Sequence, residues 1–189
     1  MPNWVTNYVT ITGDAELVKE VGERLRAPVP HHEETAVFSF WNIVKPDDLI
    51  MEDYNGQCDQ DGMKNPNNWY NWNLRNWGCK WDANGPYLNY EEPGRLVYSF
   101  DTAWSPPTQA MERLAEDNPD LTIKVRFIEE QGWGGEMVGQ GVDWEETASW
   151  DIPETHEENV QAFGECRQCE AGDEEYLYDD CPKEVAPVL

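Results

Sequence analysis

Hydrophobic and polar positions alternate in short stretches separated by turn residues. Over Trp4 to Ile11 the residues Val5, Tyr8, Val9, Thr10 and Ile11 are β-branched or aromatic, and Gly13-Asp14 closes the run, which predicts a strand. Asp14 suits a helix N-cap. Leu17, Val18, Val21 and Leu25 then recur at helical spacing as far as Arg26, and Pro28 and Pro30 end that pattern. Ala36 to Ile43 (AVFSFWNI) predicts a second strand. Lys45 to Asn68 is rich in Asp, Asn, Gly and Pro and reads as an ordered surface excursion, with a helical turn at Pro46 to Met51. Trp69 to Trp77 predicts a short helix ended by Gly78. Arg95 to Asp101 (RLVYSFD) alternates as a third strand. Pro106 to Asn118 places Met111, Leu114 and Ala115 on one helical face. Leu121 to Glu129 alternates apolar residues with Thr, Lys and Arg, the pattern of a strand with one wet face.

Strand, helix, strand, insertion, strand, helix, strand is the β-α-β-β-α-β order of an α+β, ferredoxin-like sandwich, with helices on one face of an antiparallel sheet. The expected organisation is a ferredoxin-like domain over 1–150, with a long insertion before the third strand at about 45–94. An acidic, cysteine-bearing extension follows over 151–189. Gly134 to Trp150 adds a hairpin with Met137-Val138 and Val142 to Trp144 as its arms.

Charge changes this picture by region. The 189 residues carry 38 Asp+Glu and 13 Lys+Arg, a formal net charge of −25. Residues 129–189 hold 18 of the acids and 2 of the bases, whereas 64–128 hold 8 and 7. Such a balance disfavours direct binding to duplex phosphate and to an anionic membrane surface. It permits a basic protein partner or a surface that imitates nucleic acid. Ten tryptophans rule out a disordered chain. The start lacks a basic segment and an apolar core, so no secretory signal is read, and five cysteines without one point to reduced thiols and a cytoplasmic setting.

Cys166-Arg167-Gln168-Cys169, followed by Cys181, is the clearest chemical pattern. A CxxC knuckle puts two thiolates on one Zn²⁺, and tetrahedral closure needs two more ligands. Cys181 supplies one. His156, Cys79, Cys58 or a carboxylate remain open for the fourth. The cofactor this predicts is a structural zinc, with three free thiols or a redox pair as alternatives. His31-His32 reads as a solvated loop. No P-loop, nucleophile elbow, HExxH or dinucleotide fingerprint is present.

Trp77, Lys80, Trp81, Asp101 and Trp104 form a second candidate group, for a small ligand or nucleotide in a Trp-rich cleft. The competing reading places the indoles in the core. The third group is acidic: Asp143, Glu145, Glu146, Glu154, Glu157, Glu158, Asp173, Glu174, Glu175, Asp179 and Asp180. These clusters read either as a solubilising tail or as carboxylates imitating the phosphate spacing of nucleic acid.

Met1 to Gly13 (MPNWVTNYVTITG), Asn76 to Ala83 (NWGCKWDA) and Tyr98 to Pro107 (YSFDTAWSPP) together resemble the YubB-type ferredoxin-like domain of bacteriophage and plasmid proteins, over roughly 1–143. The resemblance implies a ferredoxin-like fold and a mobile-element origin, and supplies no reaction. The expected function is a non-enzymatic phage or plasmid interaction protein in the host cytoplasm. Its acidic surface would bind a basic partner, such as a host nuclease or a CRISPR or restriction defence complex. The alternatives are the Trp-cleft ligand module and, last, a metal-dependent hydrolase.

Overall fold

The computed structural model describes residues 2–29, 36–56, 65–171 and 178–181. Nine residues, Trp4–Thr12, form strand β1. Helix α1, Ala15–Leu25, follows at once, because the Asp14 carboxylate accepts from the backbone N–H groups of Glu16 and Leu17 at 3.0 and 3.2 Å. Asp14→Ala is therefore expected to cost about 1 kcal/mol of stability. Chemical denaturation will read it as a lower midpoint with an unchanged slope.

The strand expected over 36–43 is not formed. Its two phenylalanines are buried, but the chain turns through a 3₁₀ segment, Phe40–Asn42. Asp82 replaces a neighbouring strand here. Its carboxylate accepts from the Ser39 hydroxyl at 2.5 Å and from the Phe40 N–H at 2.7 Å. Short helices α2, Met51–Tyr54, and α3, Trp69–Asn76, follow, and α3 is capped by Asn68 through the Asn71 N–H.

The second strand is instead β2, Asn84–Glu92, within the region expected as insertion. It turns at Pro93-Gly94 into β3, Arg95–Ala103. Gly94 has φ +82°, and a Cβ there would meet the Gly13 carbonyl. The long insertion thus precedes the second strand, not the third. After α4, Thr108–Glu116, come β4, Thr122–Glu129, and a hairpin of β5, Gly134–Gln140, and β6, Asp143–Trp150. Two further helices, α5, His156–Phe163, and α6, Arg167–Ala171, close the described chain apart from the turn at 178–181.

All neighbouring strands are antiparallel, in the order β2-β3-β1-β4-β5-β6. The first four form the ferredoxin-like arrangement, which β5 and β6 extend. Period-two alternation sends Val5, Val9, Ile11, Leu96, Tyr98, Phe100, Ile123, Val125 and Phe127 to one face, where they pack with Val18, Val21 and Leu25 of α1 and Met111 and Leu114 of α4. Phe38, Phe40, Trp72 and Trp77 join this core from the insertion. The opposite face carries Thr6, Tyr8, Thr10, Lys124 and Arg126, and the segment containing α5 and α6 crosses part of it. Among the described residues no helix is long and apolar enough to cross a membrane.

Candidate metal centre

The C-terminal segment is tied to the sheet before any metal is considered. The Trp150 indole donates to the Gly132 carbonyl at 2.9 Å, and Arg126 reaches the Ala162 carbonyl at 3.4 Å. Gly132, with φ +104°, sits so close to Pro153 and Phe163 that a Cβ would collide with both. Thr155 caps α5 through the Glu158 N–H, and Glu158 accepts from the Glu154 N–H at 2.9 Å. Asp180 binds the same helix start from the other side, accepting from the His156 N–H at 2.9 Å. That hydrogen bond is the main reason its carboxyl lies below the usual range.

These contacts bring the turn at 178–181 back against the first residue of α5. A second clamp is polar and largely enclosed. Asn159 is 4% exposed, accepts from the Arg167 N–H at 2.9 Å and donates to the Tyr178 hydroxyl, which in turn donates to the Pro153 carbonyl. Arg167 is the first residue of α6, so Asn159 aligns the CxxC turn with α5.

The outcome is one cluster of four ligand atoms. His156, Cys166, Cys169 and Cys181 each present an atom within 4.8 Å of every other. His156 Nδ1 lies 3.4 Å from Cys169 Sγ and 3.6 Å from Cys181 Sγ, and the Cys166 and Cys181 sulfurs are 3.9 Å apart. Tetrahedral zinc, with Zn–S about 2.3 Å and Zn–N about 2.0–2.1 Å, requires edges of about 3.8 Å between sulfurs and about 3.5 Å between sulfur and nitrogen. The three distances above match these values, and the remaining edges lie within 4.8 Å. No disulfide links these cysteines, and Cys166 and Cys181 are buried while Cys169 is partly exposed.

The thiols also divide in acidity. Burial opposes ionisation of Cys166, but hydrogen bonds from the Cys169 backbone and side chain, the His156 ring and the Gln168 backbone outweigh it, and its pKa falls below the ordinary value. Cys169 is pushed up to about 12, first by desolvation and then by hydrogen bonding with Cys181 and Cys166. The Cys166 sulfur ionises more readily than usual while Cys169 resists adding negative charge. A divalent cation removes that resistance.

Of the open choices for the fourth ligand, the geometry brings in His156. Cys79 is fully buried in the main core, donates to the Trp81 carbonyl, and is held protonated by burial and by the nearby Asp82 carboxylate. Cys58 lies outside the described residues, as do His31 and His32. The supporting Asn159 and Tyr178 were not picked out from sequence. Their only signal there is an amide on the inward side of a short helix and a tyrosine three residues before Cys181.

The other candidate groups are placed as follows. Asp143, Glu145 and Glu146 are exposed on β6. Glu154, Glu157 and Glu158 are exposed at the start of α5, and Asp179 and Asp180 are exposed on the Cys181 turn. Asp173, Glu174 and Glu175 lie outside the described residues. Trp77 is buried, donating from its indole to the Val44 carbonyl at 3.0 Å. Asp101 accepts from the Thr6 hydroxyl at 2.9 Å. Lys80, Trp81 and Trp104 come together at the surface, where the Lys80 ammonium stands 4.3 and 4.7 Å from the two indoles. Trp104 has φ +70°, the sole positive φ among the described non-glycine residues.

A family model described as the ferredoxin-like domain in Api92-like protein matches residues 76–170, half of the chain. The chain belongs to this Api92-like family. The match includes β2 to β6, helix α5, all but the last residue of α6, and three of the four clustered ligands. A crystal structure of protein api92 from Yersinia pseudotuberculosis is similar at a TM-score of 0.52 and 12% identity, covering 81% of this chain and 99% of that one. At that identity the likeness concerns the fold alone. No curated protein matches the chain.

Proposed function

We propose that this Api92-like chain is a non-enzymatic interaction protein whose Cys₃His centre holds a structural zinc and whose acidic face meets a basic protein surface. The observation that carries this reading is the placement of the carboxylates. Asp143, Glu145 and Glu146 stand on a strand hydrogen-bonded to β5. Glu157, Glu158, Asp179 and Asp180 stand on elements within a few residues of the metal ligands. Among the described residues none of them forms an ion pair with Lys or Arg. Carboxylates fixed in space and left without counter-charges favour fast, steered association with a cationic partner.

The resemblance of the opening and middle segments to YubB-type domains supports a phage or plasmid origin, and with it a partner in the reducing host cytoplasm. A nuclease or defence complex with a basic nucleic-acid channel fits that charge. Capture from host lysate at low salt, identification of the retained protein, and reconstitution with the purified partner test the reading. The association rate should fall steeply as ionic strength rises. The triple substitution Glu145→Gln, Glu146→Gln, Glu157→Gln should slow association by about tenfold or more while leaving the melting temperature in place. Failure to recover any protein that binds in purified form would defeat the proposal.

A further inference from the structure

In a chain with almost three acids for each base, one groove is lined, among the described residues, by cations and no carboxylate. It lies between the open sheet face and the α5–α6 segment, has a volume of about 480 Å³, and is lined by Thr6, Tyr8, Arg126, Gln161, Phe163 and Arg167 among others. Tyr8 and Arg126 face one another across the β1–β4 ladder, so their side chains rise from the same face as immediate neighbours. Tyr8 is 44% exposed although it lies in the middle of a strand at the centre of the sheet.

Each guanidinium stands over an aromatic ring. Arg126 stands 5.4 Å from the Trp150 ring centroid and donates one N–H to the Ala162 carbonyl. Among the described residues its one carboxylate neighbour is Glu136, at 4.0 Å, and Glu136 is already paired with Lys124 at 2.7 Å. Arg167 lies 3.5 Å from the Phe163 ring centroid and donates one N–H to the Glu130 carbonyl. Among the described residues it has no acidic partner. A guanidinium has five N–H donors in a planar fork suited to phosphate oxygens, so each retains unused donors after its carbonyl contact.

A phenol platform beside two guanidiniums with unused donors matches a ligand with a planar ring at one end and negative charge at the other. The adjoining cleft, on the far side of Gln161 and Ala162, is lined by Asp151, Glu154 and Glu158 and repels such charge. That asymmetry sets the orientation. We propose that the groove binds a nucleoside phosphate, the base stacked on Tyr8 and the phosphates between Arg126 and Arg167. The site goes beyond the acidic-surface reading and does not depend on it, since the two lie on different residues.

Calorimetric titration of the full chain with ADP, adenosine and pyrophosphate tests the proposal. ADP should bind saturably, and adenosine and pyrophosphate should each bind at least about tenfold more weakly, because each keeps half of the contacts. Arg167→Gln and Tyr8→Ser should each weaken ADP by about tenfold or more with an unchanged melting temperature, and Tyr8→Phe should restore stacking. Absence of saturable ADP binding at about 5 mM ligand, well above the ordinary range of specific sites, would overturn it. So would ADP binding that survives both Arg167→Gln and Tyr8→Ser, or pyrophosphate binding as tight as ADP.

Discussion

The doubly substituted chain Cys166→Ser, Cys169→Ser is expected to purify without zinc, where the parent carries one ion per chain, and to lose hydrogen-exchange protection across 151–171 and 178–181. Strands β1 to β4 should keep theirs. The buried residues of the C-terminal unit are few, chiefly Pro153, Asn159, Ala162, Cys166 and Cys181. So small a cluster cannot offset the conformational entropy of the 25 described residues of this unit, each costing about 1–2 kcal/mol in backbone freedom alone. Zinc held by thiolates and imidazole contributes about 10–16 kcal/mol of apparent binding energy near neutral pH, and much of that becomes folding energy. The sheet has its own core and no need of the ion. His156→Ala should give a weaker form of the same result, with one ligand position passing to water. Stoichiometric zinc in the double variant, or unchanged protection over the C-terminal unit, would refute the assignment.

Phe38→Ala is expected to lower global stability by about 3–5 kcal/mol, the second large effect. Phe38 is 1% exposed and lies where the insertion meets the sheet. Its ring stacks on Phe100 at 4.8 Å and contacts Tyr98 at 5.1 Å and Phe40 at 5.7 Å. Truncation opens a void walled by aromatic rings and by strand backbone, neither of which can collapse far. The insertion should loosen with it, since Phe40 also touches Trp77, and Trp77 touches Trp72 of α3. Urea unfolding monitored by tryptophan fluorescence provides the measurement. A change under about 1 kcal/mol would mean that Phe38 is not a tightly packed part of the core.

That segment also marks the boundary of what could be read from the chain. Strands β1 and β4 and helices α1 and α4 follow from periodicity, because each has one face in the core and one in water. Alternating Phe38 and Phe40 imitate such a strand, but the Phe40 N–H and the Ser39 hydroxyl donate to Asp82, more than forty residues away, and local pattern carries no trace of that partner. Strand β2 is hidden for the converse reason. Its sequence, NGPYLNYEE, includes Gly85, Pro86 and three polar or acidic ends, and most of it is exposed at a sheet edge. Only pairing with β3 makes it a strand. In the metal centre, the cysteine spacing was legible because two ligands of a knuckle lie on one turn. His156 was one choice among several, since its selection depends on Asp180 and Asn159 folding the chain back on α5. The groove beside Tyr8 was not legible at all, because Tyr8, Arg126 and Arg167 meet only in three dimensions.

The central position of β1 has a bearing on how the molecule is made. Its Val9 faces Tyr98 on one side and Val125 on the other, so this strand, which precedes both of its partners, can complete neither ladder until they too have been synthesised. Until then a nine-residue segment containing Trp4, Val5, Tyr8, Val9 and Ile11 has both edges unpaired. Its partners are distant in sequence, which makes closure slow and leaves the nascent chain dependent on chaperones or on its own high charge to avoid association.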